Sequence, residues 1–160
     1  MKTRILIILK PDCLEKGVEA EVKKIFQFNG WTIVAERKIE KVSTELLSSH
    51  YNEVGKLRER LMKVGPEFAD HVIKLTFDYM MRGPIVPLVI EKEVEDVEEA
   101  IAYLRNHVIG VTKPWRAEEG SIRELYGNKD ESHEPIENVV HCSGNLEEAL
   151  QEIALWFPKL

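Results

Sequence analysis

Ile5-Leu6-Ile7-Ile8-Leu9, closed by Lys10-Pro11-Asp12, is the stretch on which the fold turns. It is apolar without alternation, rich in β-branched residues and only five residues long. That combination reads as a strand buried on both faces. Proline at position 11 and aspartate at 12 stop it.

Downstream, Val18, Val22, Ile25 and Phe26 recur at helical spacing, and Asn29-Gly30 forms a helix stop. Trp31, Ile33 and Ala35 alternate with Thr32, Val34 and Glu36, giving a second strand. A charged helical region follows from about Thr44 to Met80. It carries Leu46, Leu47 and Tyr51, then Leu57, Leu61, Phe68, Val72 and Leu75, and is interrupted near Gly65-Pro66. Ile85 to Ile90 reads as a third strand, although Pro87 cannot donate to a ladder. Asp96 and Glu99 stand as a capping pair before a helix with Val97, Ala100, Ile101 and Leu104 inward. Gly110 to Glu137 is irregular and polar. Val139 and Val140 begin a fourth strand. Asn145 and Glu148 cap a last helix, with Leu146, Ala149, Leu150, Ile153 and Phe157 expected to face the core. The order of elements fits an α/β (α+β) ferredoxin-like sandwich: a four-stranded antiparallel sheet with helices packed on one face. The 160 residues suit one domain, 1–160.

Composition narrows the function. The chain is 44% hydrophobic and 31% charged, with a formal net charge of −6. No basic stripe marks a nucleic-acid surface. No apolar run approaches the ~20 residues of a membrane span. The apolar stretch after the N-terminus is too short for a signal-peptide core, so a cytoplasmic protein is expected. Cys13 and Cys142 read as free thiols. An acidic protein that binds an anion must gather its cations at the site, which makes each lysine and arginine informative.

The usual phosphate motifs are missing. There is no GxxxxGK[ST], no GxGxxG and no GxSxG. Phosphate handling would fall to side chains. His141, in Asn138-Val139-Val140-His141-Cys142-Ser143, stands at the end of a buried strand that can aim it. Glu152, eleven residues on, flanks the apolar face of the last helix and could fold back to fix the imidazole tautomer. Read alone, His141 fits a core histidine as well as a catalytic one. Lys10, Arg105 and Arg123 are the cations placed near strand or helix ends, and each alone is an ordinary surface cation.

Together these segments resemble the nucleoside diphosphate kinase family. Asn138 to Ser143, followed by Glu152-Ile153-Ala154-Leu155-Trp156-Phe157, is similar to its active-site histidine segment. Four more segments match in order: Lys10-Pro11-Asp12, His50-Tyr51, Arg82-Gly83-Pro84, and Gly110-Val111-Thr112-Lys113-Pro114 leading to Gly120-Ser121-Ile122-Arg123. The resemblance implies that His141 becomes phosphorylated and that Glu152 and Ser143 support it. It implies that Lys10 and Tyr51 stand near the transferred phosphate, that Thr112, Arg123 and Arg105 bind phosphate, and that Asn138 contacts the ribose. It further implies ATP and other nucleoside tri- and diphosphates as partners, Mg2+ carried on the nucleotide phosphates rather than in a protein cage, and a homo-oligomer.

The chain departs from the family pattern in four places. Gly144 and Asn145 follow Ser143, where the family has an acidic residue, so a contact at the helix start or in the active-site network is expected to be lost. Asn106 holds the position four before Gly110, and Arg105 stands five before it. On a helix that displacement is a turn of about 100°. The stretch from Glu53 to Thr76 is extended and lacks Arg-Pro-Phe-Phe, which leaves no residue assigned to stack on the base. The stretches Glu91 to Gly110 and Arg123 to Asn138 are also long. These departures keep a second reading open: a nucleotide-binding module of the same fold that transfers nothing.

Overall fold

The structure is a computed structural model and describes residues 1 to 160. Four strands form one antiparallel sheet in the order β2-β3-β1-β4, with β1 Lys2–Leu9, β2 Thr32–Glu36, β3 Val86–Glu93 and β4 Val140–Cys142. The apolar run thus occupies an inner strand. β1 pairs with β3 along its whole length and with β4 at Ile7–Leu9.

The two faces of β1 feed two cores. Ile5, Ile7 and Leu9 pack with Val22 and Phe26 of α2 (Glu19–Phe28) and Ile101 of α6 (Val97–Tyr103). Leu6 and Ile8 pack with Leu47 of α3 (Thr44–Ser48), Met80 of α5 (Pro66–Met81) and Trp156 of α8 (Leu146–Trp156). Helices therefore cover both faces of the sheet, not the single face expected. The five β1 residues are wholly buried, and each such side chain contributes on the order of 1.5–3 kcal/mol. Two short helices, α1 (Pro11–Glu15) and α4 (Leu57–Leu61), complete the middle of the chain. The polar stretch 110–137 is not wholly irregular, since it holds a 3-10 turn at Pro114–Arg116 and α7 (Ile122–Tyr126).

Pro87 sits inside β3 because its missing donor costs nothing there. Its carbonyl accepts from Arg37 N–H, so its nitrogen faces the same side, just past the end of β2. The interruption at Gly65-Pro66 is the start of α5, with Pro66 in the first turn. The last helix differs from expectation. Its buried residues are Ala149, Glu152 and Trp156, whereas Leu150 is 61% exposed and Leu146 is 36% exposed.

Two segments are π-helical, Ser49–Val54 and Leu104–Ile109. In each the closing amide reaches back five residues: Gly55 N–H to His50 C=O, and Gly110 N–H to Arg105 C=O, both at 3.0 Å. In an α-turn the bonded carbonyl would lie four residues back. The π-turn at Leu104–Ile109 therefore absorbs the extra residue and gives Arg105 the carbonyl that a four-residue spacing would have used. Gly110 closes this turn at φ +97°, and a Cβ there would lie 2.6 Å from Ser121 Oγ and 2.9 Å from Ala117 Cβ. Gly110→Ala is expected to cost on the order of 1–3 kcal/mol, read as a lower denaturant midpoint. An unchanged midpoint would show that the turn is not held by this glycine.

Candidate active site

β4 delivers His141 onto the Leu6/Ile8 face of the sheet, opposite Ile8 in register. The approach is locally strained. Val139, a β-branched residue, holds φ +65°. It is pinned on both sides: its N–H donates to Asp12 Oδ2 at 3.2 Å, and its C=O accepts from Lys10 N–H at 2.8 Å. The other Asp12 oxygen accepts from the Tyr79 hydroxyl at 2.6 Å.

The environment of the His141 ring is defined by one carboxylate. Glu152 Oε1 lies 3.0 Å from His141 Nε2 and accepts from Ser143 Oγ at 2.7 Å. Ser143 is itself fixed to β1, where its Oγ accepts from Leu6 N–H at 3.1 Å. Burial alone would raise the Glu152 carboxyl, but His141 and the Ser143 hydroxyl hold it below the usual carboxylate range. An ionised Glu152 needs donors, so His141 Nε2 carries the proton and Nδ1 keeps its lone pair. Nδ1 makes no hydrogen bond within the protein.

His50, from the first π-turn, packs edge-on against His141 with ring centroids 4.5 Å apart. Trp156 Nε1–H donates to His50 Nδ1 at 3.0 Å. Burial, with His141 beside it, lowers His50 to about 3, so it is a neutral ring wedged against the His141 imidazole. His50, His141 and Glu152 offer potential metal-ligating atoms within 4.8 Å of one another. Within this group His50 Nδ1 is taken by Trp156, and Glu152 Oε1 by His141 Nε2 and Ser143 Oγ.

His141 opens on a cavity of about 470 Å³ lined also by Lys10, Arg60, Arg105, Thr112, Arg123 and Asn138. No carboxylate lines it, and none of its four cations has an ion-pair partner. Elsewhere on this acidic chain the arginines pair readily: Arg4 with Glu91, Arg58 with Asp70, Arg82 with Glu15. Four unpaired cations around one cavity form a built anion site. Arg123 is fixed by donating to the carbonyls of Gly110 and Val140 at 3.1 and 2.7 Å. Arg105 donates to Gly144 C=O at 3.2 Å. Lys10 donates to Asn138 Oδ1 at 2.8 Å, and Asn138 Nδ2 donates to Thr112 C=O at 3.0 Å. Burial, with Arg123 nearby, lowers Lys10 from 10.5 to about 7.

Lys10, Thr112 and Asn138 also line an adjoining cavity of about 490 Å³, whose walls mix Tyr51, Leu57, Phe68, Val72, Leu75 and Trp115 with polar groups such as His71, Glu131 and Glu134. The cleft thus has a cationic end at His141 and a mixed end at Phe68. All nine residues proposed from the sequence are brought to it or directly behind it. Three contributors carried no assigned role in the sequence. His50 was legible only as half of a motif. Trp156 appeared only within the segment that follows Glu152. Arg60 lies in a stretch that matches no family segment. Gly144 does not cost the helix start its contact, because its N–H donates to Glu148 Oε2 at 3.0 Å and Asn145 Oδ1 caps Glu148 N–H at 2.8 Å.

The family model described as nucleoside diphosphate kinase matches residues 3–160. The chain belongs to that family. It is 35% identical to the nucleoside diphosphate kinase of Caldanaerobacter subterraneus subsp. tengcongensis over 97% of this chain and 94% of the relative. It is 31% identical to that of Clostridium perfringens, over 97% and 91%. Among solved structures, the NDP kinase of Pyrobaculum aerophilum superposes with a TM-score of 0.81 at 27% identity, covering 99% of this chain and 97% of that one. A transition-state mimic of the Borrelia burgdorferi enzyme, with bound vanadate and ADP, gives 0.77 at 27% identity, over 98% and 87%.

The depressed Lys10 sets a pH dependence. In the unliganded fold Lys10 loses its proton near pH 7, whereas the unfolded chain keeps it to about 10.5. The unfolded state then binds more protons, so stability rises with pH across that window. An anion in the cavity favours charged Lys10. Binding of ADP at pH 8 is therefore expected to take up a proton, seen by calorimetry in buffers of different ionisation enthalpy. Lys10→Arg is expected to abolish the uptake, and equal uptake in that variant would contradict the assignment.

Proposed function

We propose that the chain transfers the γ-phosphate of a nucleoside triphosphate to a nucleoside diphosphate through a phosphorylated His141. The observation that carries this reading is His141 Nε2 held 3.0 Å from the buried Glu152 carboxylate, with Nδ1 left without a protein partner, on a ring that lines one cavity with Lys10, Arg60, Arg105 and Arg123. Nδ1 attacks the γ-phosphorus in line, the N–P bond forms and the bond to the bridging oxygen breaks. The diphosphate leaves with the electron pair of that bond. A second diphosphate then enters and the step runs in reverse, a ping-pong cycle.

Glu152 favours the transition state because positive charge develops on the imidazole as Nδ1 bonds to phosphorus. Ser143 holds the carboxylate in place. Lys10, Arg105 and Arg123 meet the equatorial oxygens, and Thr112 adds a hydroxyl at the same cavity. Asn138 stands between the two cavities, where the ribose would lie, with Tyr51 beside Lys10. The base fits the mixed end, where Phe68 is the exposed aromatic at 44%. Stacking on an aromatic ring does not read a base's edge, so broad nucleotide acceptance is expected. The cationic cavity presents no carboxylate, so a magnesium ion would take its ligands from phosphate oxygens and water, and it would neutralise phosphate charge when bound.

Incubation with magnesium and γ-labelled ATP is expected to leave acid-labile, alkali-stable label on the protein that a nucleoside diphosphate removes. His141→Ala is expected to take no label and to keep a near-normal melting temperature. Label on that variant would contradict the reading. No label on the unaltered protein, with ATP bound, would favour the module that binds without transferring. Glu152→Gln keeps an acceptor but removes the charge, and is expected to lower the rate of label uptake on the order of 10²-fold. A rate within threefold of the unaltered protein would remove Glu152 from the mechanism.

A further inference from the structure

His50 is a buried titratable side chain in contact with His141 that the transfer step does not use. It lies on the first π-turn, is 2% exposed, and does not line the phosphate cavity on which His141 opens. Its ring meets the His141 ring at 80° with centroids 4.5 Å apart. The contact thus comes from within the protein rather than from the cavity.

Glu152 alone does not fix the plane of the His141 imidazole. Its hydrogen bond holds one ring atom, Nε2. The ring can still turn about the line from its attachment carbon to that atom, and χ2 of histidine is a broad, two-fold torsion. Such a turn leaves Nε2 almost in place and swings Nδ1, the atom that must point at phosphorus. A second contact beside the ring is needed, and His50 is in reach to provide it.

What holds His50 is equally specific. Trp156 Nε1–H donates to its Nδ1 at 3.0 Å, so that nitrogen carries no proton and the ring is neutral. Glu152 Oε2, 4.0 Å from the same nitrogen, forms no ion pair with it while Trp156 occupies it. The Tyr51 and Trp156 rings also meet His50 near right angles, at 4.7 and 5.5 Å. Glu152 and Trp156 share the buried face of α8, so one helix supplies both the bond to His141 and the bond to its neighbour. Neutrality matters, because a cationic neighbour would oppose the positive charge that develops on His141.

We propose that His50 is a positioning residue for the nucleophile: a neutral ring, held by Trp156, that sets the plane of the His141 imidazole so that Nδ1 faces the cavity. This rests on the phosphohistidine reading. Because His50 does not line the nucleotide cavities, its loss acts on the rate of transfer and not on nucleotide binding.

The test measures the rate of label uptake from γ-labelled ATP at saturating magnesium and nucleotide, the dissociation constant for ADP by calorimetry, and the melting temperature. His50→Asn keeps an acceptor for Trp156 and removes the ring. It is expected to slow labelling about tenfold and to leave ADP affinity within about twofold. In a Trp156→Phe background, which has no indole N–H to satisfy, His50→Ala and His50→Phe differ only in the ring. His50→Phe is expected to label about tenfold faster than His50→Ala there, at similar ADP affinity. Equal rates in that pair overturn the proposal, whether or not His50→Asn folds. So does normal labelling by His50→Asn, or a loss of ADP affinity that matches the slower labelling. Rates that simply follow the melting temperature across the variants also overturn it, and would make His50 a structural support only. Absent label in the unaltered protein is the separate failure of the phosphohistidine reading.

Discussion

The structure depends on one buried carboxylate. Glu152 sits at the junction of α8, β4 and the first π-turn, almost wholly out of solvent, and a charge there is costly unless it is fully hydrogen-bonded. Ser143 and His141 supply the donors. In doing so they lock the serine to β1 and the imidazole into the tautomer with a free Nδ1. The same bonds that make the buried charge tolerable orient the imidazole. Removing one partner would leave the charge uncompensated, so geometry and electrostatics are coupled at this point.

Beside that carboxylate the protein gathers four cations without a carboxylate partner around one cavity. With a net charge of −6, long-range attraction for nucleotides is absent, and local focusing must do the work. Two kinds of support hold the cavity. Arg123 and Lys10 are held by carbonyl and amide oxygens, which do not cancel their charge, and the buried Arg123 Nε keeps no partner. Carboxylate partners are reserved for positions outside the cavity, such as Arg58 and Arg82. The depressed Lys10 is the consequence: a buried ammonium beside Arg123 keeps its proton less firmly until an anion arrives.

Much of this was legible in the sequence where one local rule governs. The run Ile5 to Leu9 announced an inner strand, and capping pairs at Asp96/Glu99 and Asn145/Glu148 marked helix starts, with Asp96 and Asn145 each accepting the expected amide. What was misread follows from rules that conflict. α8 was assigned its apolar residues as the inner face, yet Glu152 is buried and Leu150 exposed, because the carboxylate is needed beneath β4. A strand apolar on both faces implied helices on both faces, but the element order alone did not separate the layers. The π-turns were invisible, since hydrophobic spacing does not register one inserted residue. The turn at Leu104–Ile109 explains how Arg105 reaches the cavity from a displaced position. Arg60 carries no periodic or motif signal, and only the folded hairpin brings it to the site.

The central claim is that Glu152 holds His141 Nε2 and thereby leaves Nδ1 to carry the phosphate. The most direct measurement is the phosphorus and long-range proton–nitrogen NMR of the phosphorylated, alkali-denatured protein labelled with nitrogen-15. The account predicts a single phosphohistidine with the N–P bond at Nδ1. A bond at Nε2 would mean that the Glu152 contact is broken during the reaction, and would contradict it.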